Sequence, residues 1–238
     1  MKALRAAADL IWPADCAGCG AELAGPLCTR CRLELLGPVE RREGGSPRLV
    51  PADGGPALAV WSSAWYAGPV RNAIVAWKRQ GRGELERELT RAAARTAEAA
   101  ARVLAQITPA VAVVPIPSRA LRNWGEGARR TRALALAAAE ALAGAGLEAT
   151  LEDCLARRAT SREQAGLAAH QRMRGREDAT RVRYAPKAPC LLVDDVLTTG
   201  ATLLDAERSL AAAGATVLGA IVLAATPAQS QTLEGGLP

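Results

Sequence analysis

The stretch from Cys190 to Leu223 constrains the fold more than any other part of the chain. CLLV at 190–193 is an apolar run without alternation, the pattern of a strand buried on both faces. Asp194 and Asp195 are expected to end it, and Leu197 to Ala201 to form a turn. A helix is predicted from about Thr202 to Ala213, with Gly214 as its C-terminal stop. Thr216 to Leu223 reads as the next strand. Strand, helix, strand at this length implies a parallel, right-handed crossover, and with it an α/β open sheet.

The rest of the chain fits such a sheet. VAVVPI at 111–116 is a second doubly buried strand, and Ala57 to Ala67 has strand character around Val60, Trp61, Trp65 and Tyr66. Pro69 opens a helix carrying Val70, Ile74 and Trp77 on one face and ending near Gly81. Further helices are predicted over about 84–105 and 128–143. Residues 156–185 are polar and basic with little periodicity, a long loop or excursion. Residues 32–56 are rich in Gly, Pro and Arg, which is linker chemistry. The expected division is a small module over 1–40, a linker over 41–56, an α/β domain over 57–226 and a tail over 227–238.

The N-terminal module is defined by four cysteines, Cys16, Cys19, Cys28 and Cys31, in the pattern C-x2-C, eight residues, C-x2-C. Each pair can turn two thiolates toward one point, and two pairs close a tetrahedral sulfur shell around one structural Zn2+. Gly18 and Gly20 supply the tight turn at the first knuckle. A segment this short cannot build its own core, so a metal is a credible staple. Cys154 and Cys190 have no such pattern and read as small buried thiols.

Charge bears on the ligand. The chain has 30 basic and 24 acidic residues, net +6. Residues 57–150 carry net +6, residues 151–189 net +4, and residues 190–238 net −4. A positive field in the middle of the chain favours a phosphorylated ligand or nucleic acid. The first residues do not read as a signal peptide, because Arg5 and Asp9 interrupt the apolar stretch. No run approaches the ~18 apolar residues of a membrane span. No membrane insertion and a cytoplasmic location are therefore expected.

In open α/β sheets ligands sit at the carboxyl ends of strands, which is where LLVDDVLTTGAT places its polar groups. Thr198, Thr199, Gly200, Ala201 and Thr202 offer successive backbone N–H groups, three hydroxyls and a glycine at a helix N-terminus, an anion cradle for a phosphate. Asp194 and Asp195 cannot bind that phosphate. They can accept hydrogen bonds from vicinal sugar hydroxyls or hold a hydrated Mg2+ bridging to them. Two carboxylates beside a phosphate cradle suit a ribose 5-phosphate. No G-x-x-x-x-G-K-[ST] and no G-x-G-x-x-G after a strand is present, so neither a P-loop nor a dinucleotide site is supported.

At these residues the chain resembles the type I phosphoribosyltransferase signature, which binds phosphoribosyl pyrophosphate (PRPP). The resemblance implies an open, mainly parallel sheet, Asp194 and Asp195 as the candidate catalytic pair facing the ribose hydroxyls, and 198–202 on the 5-phosphate. More broadly, the chain resembles the ComF family of bacterial competence-related proteins. That likeness is carried by the cysteine knuckles, AWYAGPVRNAIVAWKRQG (64–81), VVPIPSRALR (113–122) and ARRATSREQAGLAAHQR (156–172), followed by the PRPP signature. It implies that Arg119 faces the pyrophosphate and that Lys78 also faces phosphate. Thr160, Gln164 and Arg172 match a motif in the basic excursion, implied to close over the ligand.

Three features depart from the family. Residues 32–56 lack the cysteines of a second zinc site, so one zinc is expected. Asn123-Trp124-Gly125-Glu126 replaces Arg-Gly-Phe-Asn, and Gly175 stands where Asn is usual. The implied function is Mg-PRPP binding, with or without phosphoribosyl transfer, in DNA uptake or processing of incoming DNA. The alternative is a non-catalytic PRPP sensor, or a module that docks single-stranded DNA or competence proteins. Thr198 stands where purine-salvage relatives place an Asp, which weakens a purine acceptor. The only histidine, His170, lies in the basic stretch and reads as a solvated side chain. Single-strand readers usually stack bases on aromatics, and the basic regions offer only Trp77, Trp124 and Tyr184.

Overall fold

A computed structural model describes residues 15–23, 25–49, 57–117, 124–157 and 180–227. Among these, six strands form one sheet in the order β1-β2-β8-β7-β3-β4. They are β1 (Glu40–Arg41), β2 (Val60–Trp65), β3 (Ala110–Pro115), β4 (Glu148–Leu151), β7 (Cys190–Leu197) and β8 (Val217–Ala225). All neighbours pair in parallel except β1, which runs antiparallel to β2. A second, two-stranded antiparallel sheet joins β5 (Leu155–Arg157) to β6 (Thr180–Val182). The expected α/β architecture with a mainly parallel open sheet is present.

Among the described residues the helices are α1 (Thr29–Leu35), α2 (Gly68–Arg79), α3 (Glu86–Leu104), α4 (Trp124–Gly144) and α5 (Ala201–Ala212). Helices α2, α3 and α4 bury Ile74, Trp77, Leu89, Leu134 and Leu142 against one face of the sheet, with Val113, Leu191 and Val193. Helix α5 buries Leu203, Ala206 and Leu210 against the other, with Val114, Cys190 and Leu192. Successive residues of β7 thus serve opposite cores, which is why its sequence shows no polar alternation. Fully buried alanines at 92, 97, 100, 135 and 138 let α3 and α4 approach closely, so the core needs no Phe.

Three details differ from expectation. Asp194 and Asp195 do not end their strand: β7 continues to Leu197 because its ladder with β8 persists through Val196↔Ala224 and Leu197↔Ala225. Helix α1 and strands β1, β4, β5 and β6 appear where the sequence shows no clear period, because each is seven residues or shorter. Within the Gly/Pro-rich stretch 32–56, Glu40–Arg41 join the sheet edge and Glu43–Gly45 form a 3-10 turn.

The cysteine module shares the main core. Cys16, Leu27, Cys31 and Leu35 belong to the same buried cluster as Trp61, Val70 and Trp77. Asn72 Nδ2 donates to the Gly18 carbonyl at 2.9 Å, and Arg32 pairs with Glu88 at 3.0 Å.

Candidate functional site

The sheet order itself places a crevice. From β3 the chain passes through α4 to β4 on one side; from β7 it passes through α5 to β8 on the other. The carboxyl ends of β3 and β7 therefore flank a topological switch point, where open α/β sheets bind ligands. The end of β7 delivers Asp194, Asp195 and the loop 198–200 to that point.

Asp195 is largely buried and pairs with Lys78 Nζ at 2.6 Å. Lys78 lies in the last turn of α2, so tertiary packing brings two sequence-predicted residues together. Arg130 Nη1 donates to the Lys78 carbonyl at 3.0 Å, and the Arg130 guanidinium lies 5.8 Å from the centroid of the buried Trp77 ring. Asp194 Oδ1 accepts the backbone N–H of Asp195 at 2.8 Å. Burial and the adjacent Asp195 carboxylate raise the Asp194 pKa from 3.8 to about 8, against the Asp195 amide and Lys78, which lower it. Such a site gains from added positive charge or from hydroxyl donors. The donor set therefore fits a hydrated Mg2+ and vicinal sugar hydroxyls.

The loop beyond has Thr198 and Thr199 exposed and Gly200 buried. Gly200 caps α5 with φ +79°, and a β-carbon there would overlap the Leu49 side chain. Helix α5 begins at Ala201, whose N–H donates to Thr199 Oγ1 at 3.4 Å, and its glycine N-cap supplies no side-chain acceptor, so the N–H groups of its first turn suit an anion. Arg119, Thr160, Gln164, His170, Arg172 and Gly175 lie outside the described residues.

A family model for the phosphoribosyl transferase domain matches residues 88–234. The chain belongs to this family. No curated protein matches it. A phosphoribosyltransferase domain suggests a ribose-phosphate ligand such as PRPP. Strands β3 and β7, the Asp pair, the Thr/Gly loop and α5 all fall within the match, whereas Lys78 and the cysteine module precede it. No helix among the described residues is long and apolar enough to cross a membrane.

A second candidate centre lies in the cysteine module that precedes the phosphoribosyltransferase domain. The ligand sulfurs of Cys16, Cys19, Cys28 and Cys31 all lie within 4.8 Å of one another. Cys19 Sγ and Cys28 Sγ are 3.8 Å apart, close to the roughly 3.8 Å edge of a tetrahedron with Zn–S near 2.3 Å. Burial opposes ionisation of Cys16. The backbone N–H groups of Cys28, Cys19 and Gly18 nevertheless converge on its sulfur and bring its pKa down to about 6. Burial and the neighbouring sulfurs raise that of Cys31. Four sulfurs this close together suit a single metal ion, and the all-sulfur set favours zinc.

Sequence reasoning missed several residues that shape the first site. Ser46 Oγ donates to the Thr198 carbonyl at 3.0 Å, and the Arg48 N–H donates to the Thr199 carbonyl at 3.3 Å. Thr180 Oγ1 bonds Asp205 Oδ2 at 2.6 Å with both residues buried, tying β6 to α5. These contacts join distant segments, and no local period announces them. Cys154 and Cys190 are fully buried, and burial raises their thiol pKa values to about 12 and about 11.

Proposed function

We propose that this chain is a ComF-like phosphoribosyltransferase-domain protein that binds Mg-PRPP at Asp194–Thr202. The observation that carries the reading is the pairing of two adjacent carboxylates with a glycine-capped helix N-terminus at the sheet's switch point. Asp194 and Asp195 accept hydrogen bonds from the ribose hydroxyls, directly or through the water shell of Mg2+. Thr198, Thr199, Gly200, Ala201 and Thr202 hold the 5-phosphate through backbone N–H and hydroxyl groups. Lys78 shares its charge between Asp195 and ligand phosphate, and Arg119 pairs the pyrophosphate.

In transfer, the bond from the ribosyl carbon to pyrophosphate breaks as a nucleophile, usually a nitrogen, takes its place. Bound Mg2+ would supply charge neutralisation for the departing pyrophosphate. The chain's own residues contribute positioning and fixed charge. The resemblance to ComF proteins supports a role in DNA uptake or processing of incoming DNA. It also supports one structural zinc in a module over residues 1–40. A direct single-strand groove is less favoured. Trp77 is buried, and Arg129 and Arg132 are paired with Glu86 and Asp153.

The test is calorimetric titration of Mg-PRPP into the wild-type chain and the Asp194→Asn/Asp195→Asn variant, with pyrophosphate assayed in parallel. Binding by wild type alone is expected. Pyrophosphate release together with an acceptor adduct then marks a transferase, and binding without release marks a sensor. No binding to folded, zinc-loaded wild type overturns the PRPP reading.

A further inference from the structure

We propose that Glu43–Leu49 is a positioning strap for the phosphate loop, with Ser46 as its positioning residue. The proposal rests on the reading of 198–202 as a 5-phosphate cradle. Three contacts carry it. Ser46 Oγ donates to the Thr198 carbonyl, the Arg48 N–H donates to the Thr199 carbonyl, and the Leu49 side chain fills the space beside Gly200. Ser46 and Leu49 are 1% and 2% exposed, while Thr198 and Thr199 on the loop are exposed.

A trans peptide unit is planar, so its C=O and the following N–H point in opposite directions. Holding the Thr198 carbonyl from the strap side turns the Thr199 N–H away from the strap. Holding the Thr199 carbonyl does the same for the Gly200 N–H. The strap thereby fixes two consecutive donors of the cradle before any anion arrives, which lowers the ordering cost of binding.

The strap is itself anchored. Glu43 Oε2 accepts the Val60 N–H at 3.1 Å, and the Ser46 N–H donates to the Glu43 carbonyl at 2.9 Å. The Leu49 N–H donates to the Ser46 carbonyl at 3.0 Å. Arg42 stacks 3.7 Å from the Trp65 ring centroid and pairs with Glu40. The loop is thus braced against β2 and the sheet edge.

The test uses the full chain and two Mg2+-supplemented probes: ribose 5-phosphate, and inorganic pyrophosphate, which carries no 5-phosphate. Ser46→Ala is expected to weaken ribose 5-phosphate binding by about fivefold to tenfold, the scale of one lost hydrogen bond, with pyrophosphate binding unchanged. Ser46→Cys keeps the shape and a weaker donor. It is expected to lose about twofold to threefold, and it decides the matter if Ser46→Ala does not fold. Equal ribose 5-phosphate affinity in wild type and the folded variants overturns the strap. So does an equal loss for both probes, which would mark Ser46 as a general stabiliser. Failure of wild type to bind either ribose 5-phosphate or PRPP overturns the cradle reading instead.

Discussion

Lys78 Nζ sits 2.6 Å from Asp195 Oδ2, joining the last turn of α2 to the carboxylate pair on β7. The Lys78 side chain is 35% exposed and that of Asp195 11% exposed, so solvent screens the pair only in part. Lys78 also lowers the Asp194 pKa, against burial and Asp195. Lys78→Met should lower stability by about 1 kcal/mol, at the modest end for a half-buried pair. The loss should be larger at pH 8.5 than at pH 6, because Asp194 is charged only above its raised pKa. Thermal melts at the two pH values check this; an equal loss at both would contradict the coupling.

Asp194 carries a second pH prediction. Its folded-state pKa lies above its ordinary 3.8, so between that value and about 8 the folded state binds more protons than the unfolded state. Its contribution to stability therefore falls as pH rises through that window. Asp194→Asn should flatten this slope and raise stability at pH 8 by about 1–2 kcal/mol. The same variant should lose PRPP binding. Denaturant titrations from pH 5 to pH 8.5 test the slope, and an unchanged pH profile refutes it.

Gly200 combines a φ of +79° with contact to Leu49. Gly200→Ala should destabilise the chain by about 2–3 kcal/mol, from left-handed strain and overpacking. In the Leu49→Ala background the overpacking disappears and only the strain remains. A double-mutant cycle should thus give a coupling of at least ~0.5 kcal/mol; strictly additive losses would contradict the packing described.

Metal removal should affect the whole chain. Cys16, Cys31, Leu27 and Leu35 share a buried cluster with Trp61 and Trp77, so chelation should lower a single thermal transition. Cys31→Ser should do the same. Metal analysis of the purified protein should return about one zinc per chain. A separate low-temperature transition that leaves the main one unmoved would show that the module is an independent unit.

Thr180 Oγ1 is a partner of the buried Asp205 carboxylate at 2.6 Å. Thr180→Val keeps the shape and removes that bond, and should cost about 1–3 kcal/mol. Asp205→Asn in the same background should recover part of the loss, because a neutral amide is cheaper to bury. The two denaturation midpoints, compared with wild type, decide it.

The parts of this protein that are legible in its residues are the ones contiguous along the chain. The apolar runs at 111–116 and 190–193, the Asp pair, the Thr/Gly loop and the glycine-stopped helix write a parallel α/β unit locally. There, periodicity and turn chemistry act within a few residues. The two C-x2-C knuckles are likewise local, because thiolate spacing along the chain sets their geometry.

Which side chains face one another depends on packing between distant segments. Ser46 meets Thr198 across 152 residues of sequence, and Lys78 meets Asp195 only because α2 packs on the face of the sheet that Asp195 shares. Strand β7 outlasts its own carboxylates because β8 continues beside it. Such contacts are set by sheet order and by burial between distant segments, and neither leaves a period or a motif in the residues that make them.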